Sequence, residues 1–124
     1  MQRYVISLTA ALIAVTVLAS AAHASCIPTT AAQQRARADV VFEGIALEGP
    51  TATGVQRFRV SRYLKGSGPR VVRVSTGHVR RADGTGVITS VSIDVRRGER
   101  WRIFARGSAR QILRTSSCDG SRKR

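Results

Sequence analysis

The sequence predicts an all-β domain with one short helix near its amino end, built as a small barrel or sandwich of six short strands. Two observations carry that expectation. β-branched and aromatic residues come in short runs separated by Gly, Pro, Asp and Ser, and after residue 24 only one stretch, residues 29–39, is dominated by strong helix formers.

Residues 29–39 follow a hydroxyl at Thr29 or Thr30 that can accept from the free backbone donors of a first helical turn. Residues 40–47 make the first expected strand, and residues 48–54 hold too many breakers to be anything but a hairpin loop. Residues 55–64 alternate, with Phe58 and Val60 on one face and Arg57, Arg59 and Ser61 on the other, so that strand is expected to be half buried. A turn at 65–69 leads into a strand at 71–75. Residues 77–86 then read as a long polar loop carrying His78, Arg80, Arg81 and Asp83. Strands follow at 87–95, at 101–105 with Trp101, Ile103 and Ala105 sharing a face, and at 111–115, with a charged turn at 96–100. The closing residues 121–124 read as a frayed basic tail.

Residues 1–24 read as a cleavable signal peptide. Arg3 precedes an apolar run over 4–22, broken only by Ser7, Thr9, Thr16 and Ser20, and Ala22-His23-Ala24 offers a small-residue cleavage pattern. The run approaches the ~20 residues that span a bilayer, yet its hydroxyls and the cleavage pattern favour removal over a retained anchor. His23 stands where a lipid-attachment signal wants an aliphatic residue, and acylating Cys26 would strand Cys118. The expected product is a single domain over 25–120 plus the tail, secreted or held in the periplasm or cell envelope, with no membrane span. Export to an oxidising compartment lets the only two cysteines, Cys26 and Cys118, pair and tie the ends together. Such a staple contributes about 4–5 kcal/mol in the loop-entropy account.

Charge is the other strong signal. Without Arg3, residues 25–124 carry 20 basic against 7 acidic side chains, a net charge of +13, and 19 of the chain's 21 basic residues are Arg. Such a field draws in polyanions. An arginine-rich solvated surface without a ligand is the alternative that the same composition allows.

The order of features carries a resemblance. A cysteine follows the signal, then come a short helix, Asp39-Val40-Val41-Phe42-Glu43-Gly44, a strand ending Tyr63-Leu64-Lys65-Gly66, the run Gly98-Glu99-Arg100-Trp101-Arg102-Ile103-Phe104-Ala105, and Cys118-Asp119-Gly120. Over residues 26–120 the chain resembles the secreted bacterial proteins with a netrin-like, tissue-inhibitor-of-metalloproteinase-like OB fold. The resemblance implies a five-stranded Greek-key barrel with a helix, its amino-terminal segment held by disulfides. In the animal inhibitors the first mature residue is a cysteine whose amine and carbonyl chelate the catalytic zinc of a target protease. Cys26 is the position that would carry this role, since such a chelate can fill the open position of a catalytic zinc and displace its water. The chain departs from the pattern in that cleavage after Ala24 leaves Ser25 ahead of Cys26, Ile27 and Pro28 follow it where a second cysteine is usual, and 87–95 holds no cysteine.

No pattern joins the lone exported histidine, His78, or the few carboxylates to an exposed nucleophile, so neither catalysis nor a metal or other cofactor is expected. The expectation is a binding module for a protein or an anionic partner, because OB folds hold oligonucleotides or oligosaccharides on a barrel face and adjoining loops. Arg57, Arg59 and Arg62 on the second strand, with Arg80 and Arg81 in the long loop, are its candidate contacts. The aromatic residues Phe42, Phe58, Tyr63, Trp101 and Phe104 fall in strand patterns as core, so nucleic acid, which wants exposed stacking rings, is not the expected partner. The alternative function is metalloprotease inhibition through Cys26.

Overall fold

The computed structural model describes residues 26–124; the expected signal peptide at 1–24 and Ser25 lie outside the described residues. Helix α1 spans Ala31–Arg37, shorter than the 29–39 stretch because Ala38 already adopts extended backbone. Thr30 caps it reciprocally: its hydroxyl accepts from the Gln33 amide at 3.2 Å, and the Gln33 side chain accepts from the Thr30 amide at 2.9 Å.

Eight strands follow: β1 (Val40–Ala46), β2 (Val55–Lys65), β3 (Val71–Ser75), β4 (Val79–Arg80), β5 (Gly86–Val87), β6 (Arg100–Ala105), β7 (Ile112–Arg114) and β8 (Arg122–Lys123). Six of them form one sheet in the order β7-β3-β2-β1-β6-β8, with β3 and β7 parallel and the other pairs antiparallel. Arg106 and Arg114 exchange backbone hydrogen bonds of 2.9 and 3.0 Å, so the end of β6 meets β7 and the sheet curls back on itself. A three-strand meander whose fourth neighbour returns parallel to β3 is the order of a partly open, OB-like Greek-key barrel. Cys26 and Cys118 are bonded, their Cα atoms 5.2 Å apart, and link the two ends of the domain.

β1, β2, β3, β6 and β7 fill the barrel: Phe42, Phe58, Val72, Val74, Ile103 and Leu113 are almost completely buried. Phe42 and Phe58 meet edge to face at 5.9 Å. A smaller cluster of Ala38, Val41 and Phe104, with Leu64 against it, lies on the opposite face of the sheet, where α1 leads into β1. Pairing of β1 with β2 skips Ser61 and Leu64, two irregularities that bend β2. Gly44 faces one of them. A Cβ there would lie 2.7 Å from the Arg59 carbonyl, so the close approach of the two backbones requires glycine.

Three expectations are corrected. The 77–86 loop is a two-stranded hairpin of β4 and β5, turned by Asp83, whose carboxylate accepts from the Thr85 amide at 2.9 Å and hydroxyl at 2.6 Å. Residues 87–95 leave regular strand after Val87: the Thr89 amide donates to the Ser92 hydroxyl and the Ser92 amide to the Thr89 carbonyl, which folds the chain before Ile93 and Val95 plug the core. The supposed basic tail is ordered, because Arg122–Lys123 add β8 to the free edge of β6 and Lys123 pairs with Glu99 at 2.7 Å. Among the described residues no helix is long and apolar enough to cross a membrane.

Candidate functional site

The outer face of the sheet is an arginine surface, and register explains it. On β2 the alternation that sends Phe58 inward sends Arg57 and Arg59 outward; strict alternation would then turn Arg62 inward with Phe58 and Val60. The irregularity at Ser61 shifts the phase, so Arg62 is exposed and stands opposite Glu43 on the outer face. Neighbouring strands extend the surface: Arg73 of β3 lies opposite Arg57, and Arg59 and Arg100 flank Ile45 from either side. Adjacent strands lie ~4.8 Å apart, which sets the Arg59 and Arg100 backbones about 10 Å from each other. Arg102 of β6 and Arg122 of β8 complete it, Arg122 stacking 5.7 Å above the Phe104 ring.

Two carboxylates sit within this surface. Glu43 is gripped by Arg102, through Nε at 3.1 Å and Nη2 at 2.5 Å, and by Arg62 at 3.1 Å; the hydrogen bonds from Arg102 and then Arg62 hold its carboxyl down at about 2. Glu48 accepts from the Arg57 side chain at 2.9–3.2 Å and from its amide at 2.9 Å, and the Arg57 side chain is the main cause that lowers its pKa. Arg59, Arg73 and Arg100 are exposed and make no ion pair among the described residues.

Thus the structure gathers Arg57, Arg59 and Arg62 on one face but sets Arg80 and Arg81 apart from them. Arg80 lines, with His78, a separate cup of about 230 Å³ bordered also by Gly49, Pro50, Asp94, Arg96 and Arg97. Asp94 lies 3.4 Å from Arg96 and 3.4 Å from Nδ1 of His78, the latter outside hydrogen-bonding geometry. Among the described residues that buried imidazole nitrogen has no hydrogen-bond partner, a state that costs about 1–3 kcal/mol when nothing compensates it. Arg81, exposed at the hairpin turn, lines neither the cup nor the outer-face cleft of Arg59, Arg62 and Arg70. Sequence reasoning missed Arg73, Arg100 and Arg102; period two within residues 71–75 and 100–105 places all three opposite the core residues beside them.

At the other end, Cys26 and Cys118 border a cleft of about 250 Å³ with Arg37, Phe104, Arg106 and Asp119, and Ile27 beside the disulfide is 80% exposed. The bond whose cleavage would free the amine of Cys26 lies outside the described residues. Among the described residues no group of three or more His, Cys, Asp or Glu side chains could hold a metal ion.

Comparison of the chain with protein-family models, with curated proteins and with solved structures finds no match.

Proposed function

We propose that the exported domain is a non-enzymatic binding module that holds an anionic partner, an acidic glycan or the acidic surface of a protein, on the outer face of its barrel. The observation that carries this reading is the trio Arg59, Arg73 and Arg100, exposed and without carboxylate partners on a rigid sheet. Like charges gathered on one sheet face repel one another, an anion lying across them relieves that repulsion, and guanidinium groups match carboxylate, sulfate and phosphate geometry. Burial of Phe42, Phe58, Trp101 and Phe104 leaves few rings for stacking, which favours these partners over single-stranded nucleic acid.

The test is salt elution from heparin. Replacing Arg59, Arg73 and Arg100 by Ser is expected to lower the eluting salt well below that of a variant with Arg37, Arg81 and Arg110 replaced by Ser, which loses equal charge from exposed sites elsewhere. Equal elution of the two triple variants would reduce the face to diffuse surface charge.

A second reading, inhibition of a zinc protease, is favoured by exposed Ile27 beside the disulfide, an apolar side chain placed as a segment entering a protease cleft would place it. It requires Cys26 to be the first mature residue, so an intact mass beginning at Ser25 eliminates it.

A further inference from the structure

The cup beside the β4–β5 hairpin shares no lining residue with the outer sheet face, and three segments distant in sequence build it. His78 and Arg80, two residues apart on one side of the hairpin, form one wall; Asp94, Arg96 and Arg97 form another; Pro50 of the β1–β2 loop closes the third. Three arginines, Arg80, Arg96 and Arg97, line a hollow that a ligand of modest size could enter, which is a setting for oxyanion chemistry. One feature restricts the ligand further. Asp94 lies among the arginines, so a bare oxyanion filling the cup would face a carboxylate as well as cations. The ligand must therefore carry donors beside its negative charge. Those donors are neutral hydroxyls rather than an ammonium, because an ammonium would sit among Arg80, Arg96 and Arg97.

We infer that this cup binds one acidic sugar residue: its carboxylate, sulfate or phosphate lies between Arg80 and Arg97, and its ring hydroxyls donate to Asp94. Arg96 lies 3.4 Å from the Asp94 carboxylate. A volume of about 230 Å³ suits a single pyranose ring rather than a chain. The site goes beyond the outer-face reading and is tested separately, since a monosaccharide is too short to report on an extended arginine surface.

The experiment is an NMR titration of the mature, disulfide-bonded protein with glucuronate, glucose 6-sulfate and glucose 6-phosphate, and with glucose and inorganic phosphate as the partial ligands. At least one acidic sugar is expected to give saturable shifts at the His78 imidazole and the Arg80 and Arg97 side chains, and the arm that binds best names the oxyanion. Its affinity should exceed that of glucose and of inorganic phosphate by about tenfold or more. The double variant Arg80→Ser, Arg97→Ser should weaken it by at least about tenfold with the remaining amide spectrum in place. Arg59→Ser with Arg73→Ser and Arg100→Ser should leave it unchanged. The proposal is overturned by absence of saturation with all three acidic sugars, by inorganic phosphate binding as tightly as the best of them, or by unchanged affinity in the Arg80, Arg97 variant.

Discussion

Gln56 shows how one polar residue can organise a core. It lies on the inner row of β2 with Phe58 and is completely buried, yet each of its amide atoms is paired. Nε2 donates to the carbonyls of Glu48 at 3.0 Å and Val95 at 2.9 Å, and Oε1 accepts from the Thr76 hydroxyl at 3.2 Å. These bonds join three segments that share no strand ladder: the exit from β1, the irregular stretch before β6, and the residue after β3. Gln56→Leu conserves volume and leaves two carbonyls without their donor, so a loss of about 2–4 kcal/mol is expected in urea unfolding, with the slope unchanged. A loss below about 0.5 kcal/mol would mean that Ile93 and Val95 hold that stretch by packing alone. Period two in 55–60 already marks the face that Gln56 shares with Phe58, but a polar amide at a core position gives no sign of its burial until its partners are known. Arg62 is the converse case. Its outward direction depends on a skipped residue at Ser61, and nothing in the local pattern announces that irregularity.

At the scale of elements, the strands that carry the core's apolar residues are legible. Residues 40–46, 55–65, 71–75 and 100–105 fold close to their expected limits because each presents apolar side chains to one barrel interior. Residues 87–95 mislead for a physical reason. Val87, Ile88 and Val91 have strand composition, but they are exposed, and the Thr89–Ser92 hydrogen bonds turn the chain away from any ladder. Side-chain-to-backbone bonding of this kind competes with sheet and is invisible to composition. The last residues mislead in the opposite sense. A short basic sequence has no strand signature, yet the unpaired edge of β6 recruits it: Trp101 faces Lys123, Arg102 faces Arg122, and the Arg124 amide donates to the Arg100 carbonyl at 2.8 Å. Truncation after Ser121 is accordingly expected to cost about 1–2 kcal/mol, the worth of a few edge hydrogen bonds and one exposed ion pair. It should also speed amide exchange along β6 while leaving β3 protected. Unchanged exchange in β6 would restore the tail to the frayed state that its composition suggests. The candidate site divides along the same line. Arg57 and Arg59 follow from alternation, whereas the separation of Arg80 from Arg81 and the meeting of His78 with Asp94 depend on the hairpin and the irregular stretch that the sequence conceals.

For the whole molecule, charge and stability are one problem. A domain with 20 basic and 7 acidic side chains after Arg3 sets each of its three glutamates against a cation. Glu43 lies between Arg62 and Arg102, Glu48 against Arg57, and Glu99 against Lys123, and in each the paired cation's side-chain hydrogen bond is the main cause that lowers the pKa. A carboxyl whose folded pKa lies below its ordinary value of 4.5 binds fewer protons folded than unfolded, so its contribution is present above about pH 4.5 and is lost as pH falls. For Glu43, held at about 2, the loss runs from about 4.5 down to about 2. Protonation there also removes the negative charge that separates Arg62 from Arg102, and self-repulsion of the remaining cations adds to the loss. The thermal midpoint at low salt should therefore decline steadily across this window, and less steeply in high salt, where repulsion between exposed cations is screened. Glu43→Gln should begin lower at neutral pH and decline less between pH 4.5 and 2, because its share of the linkage is already gone. Parallel decline of the two proteins would assign acid sensitivity to general repulsion and deny Glu43 its place as the anchor of the arginine face. A shallower decline in the variant would make the same carboxylate both the brace that orders Arg62 and Arg102 and the group that limits the pH range over which an outer-face anion could compete for them.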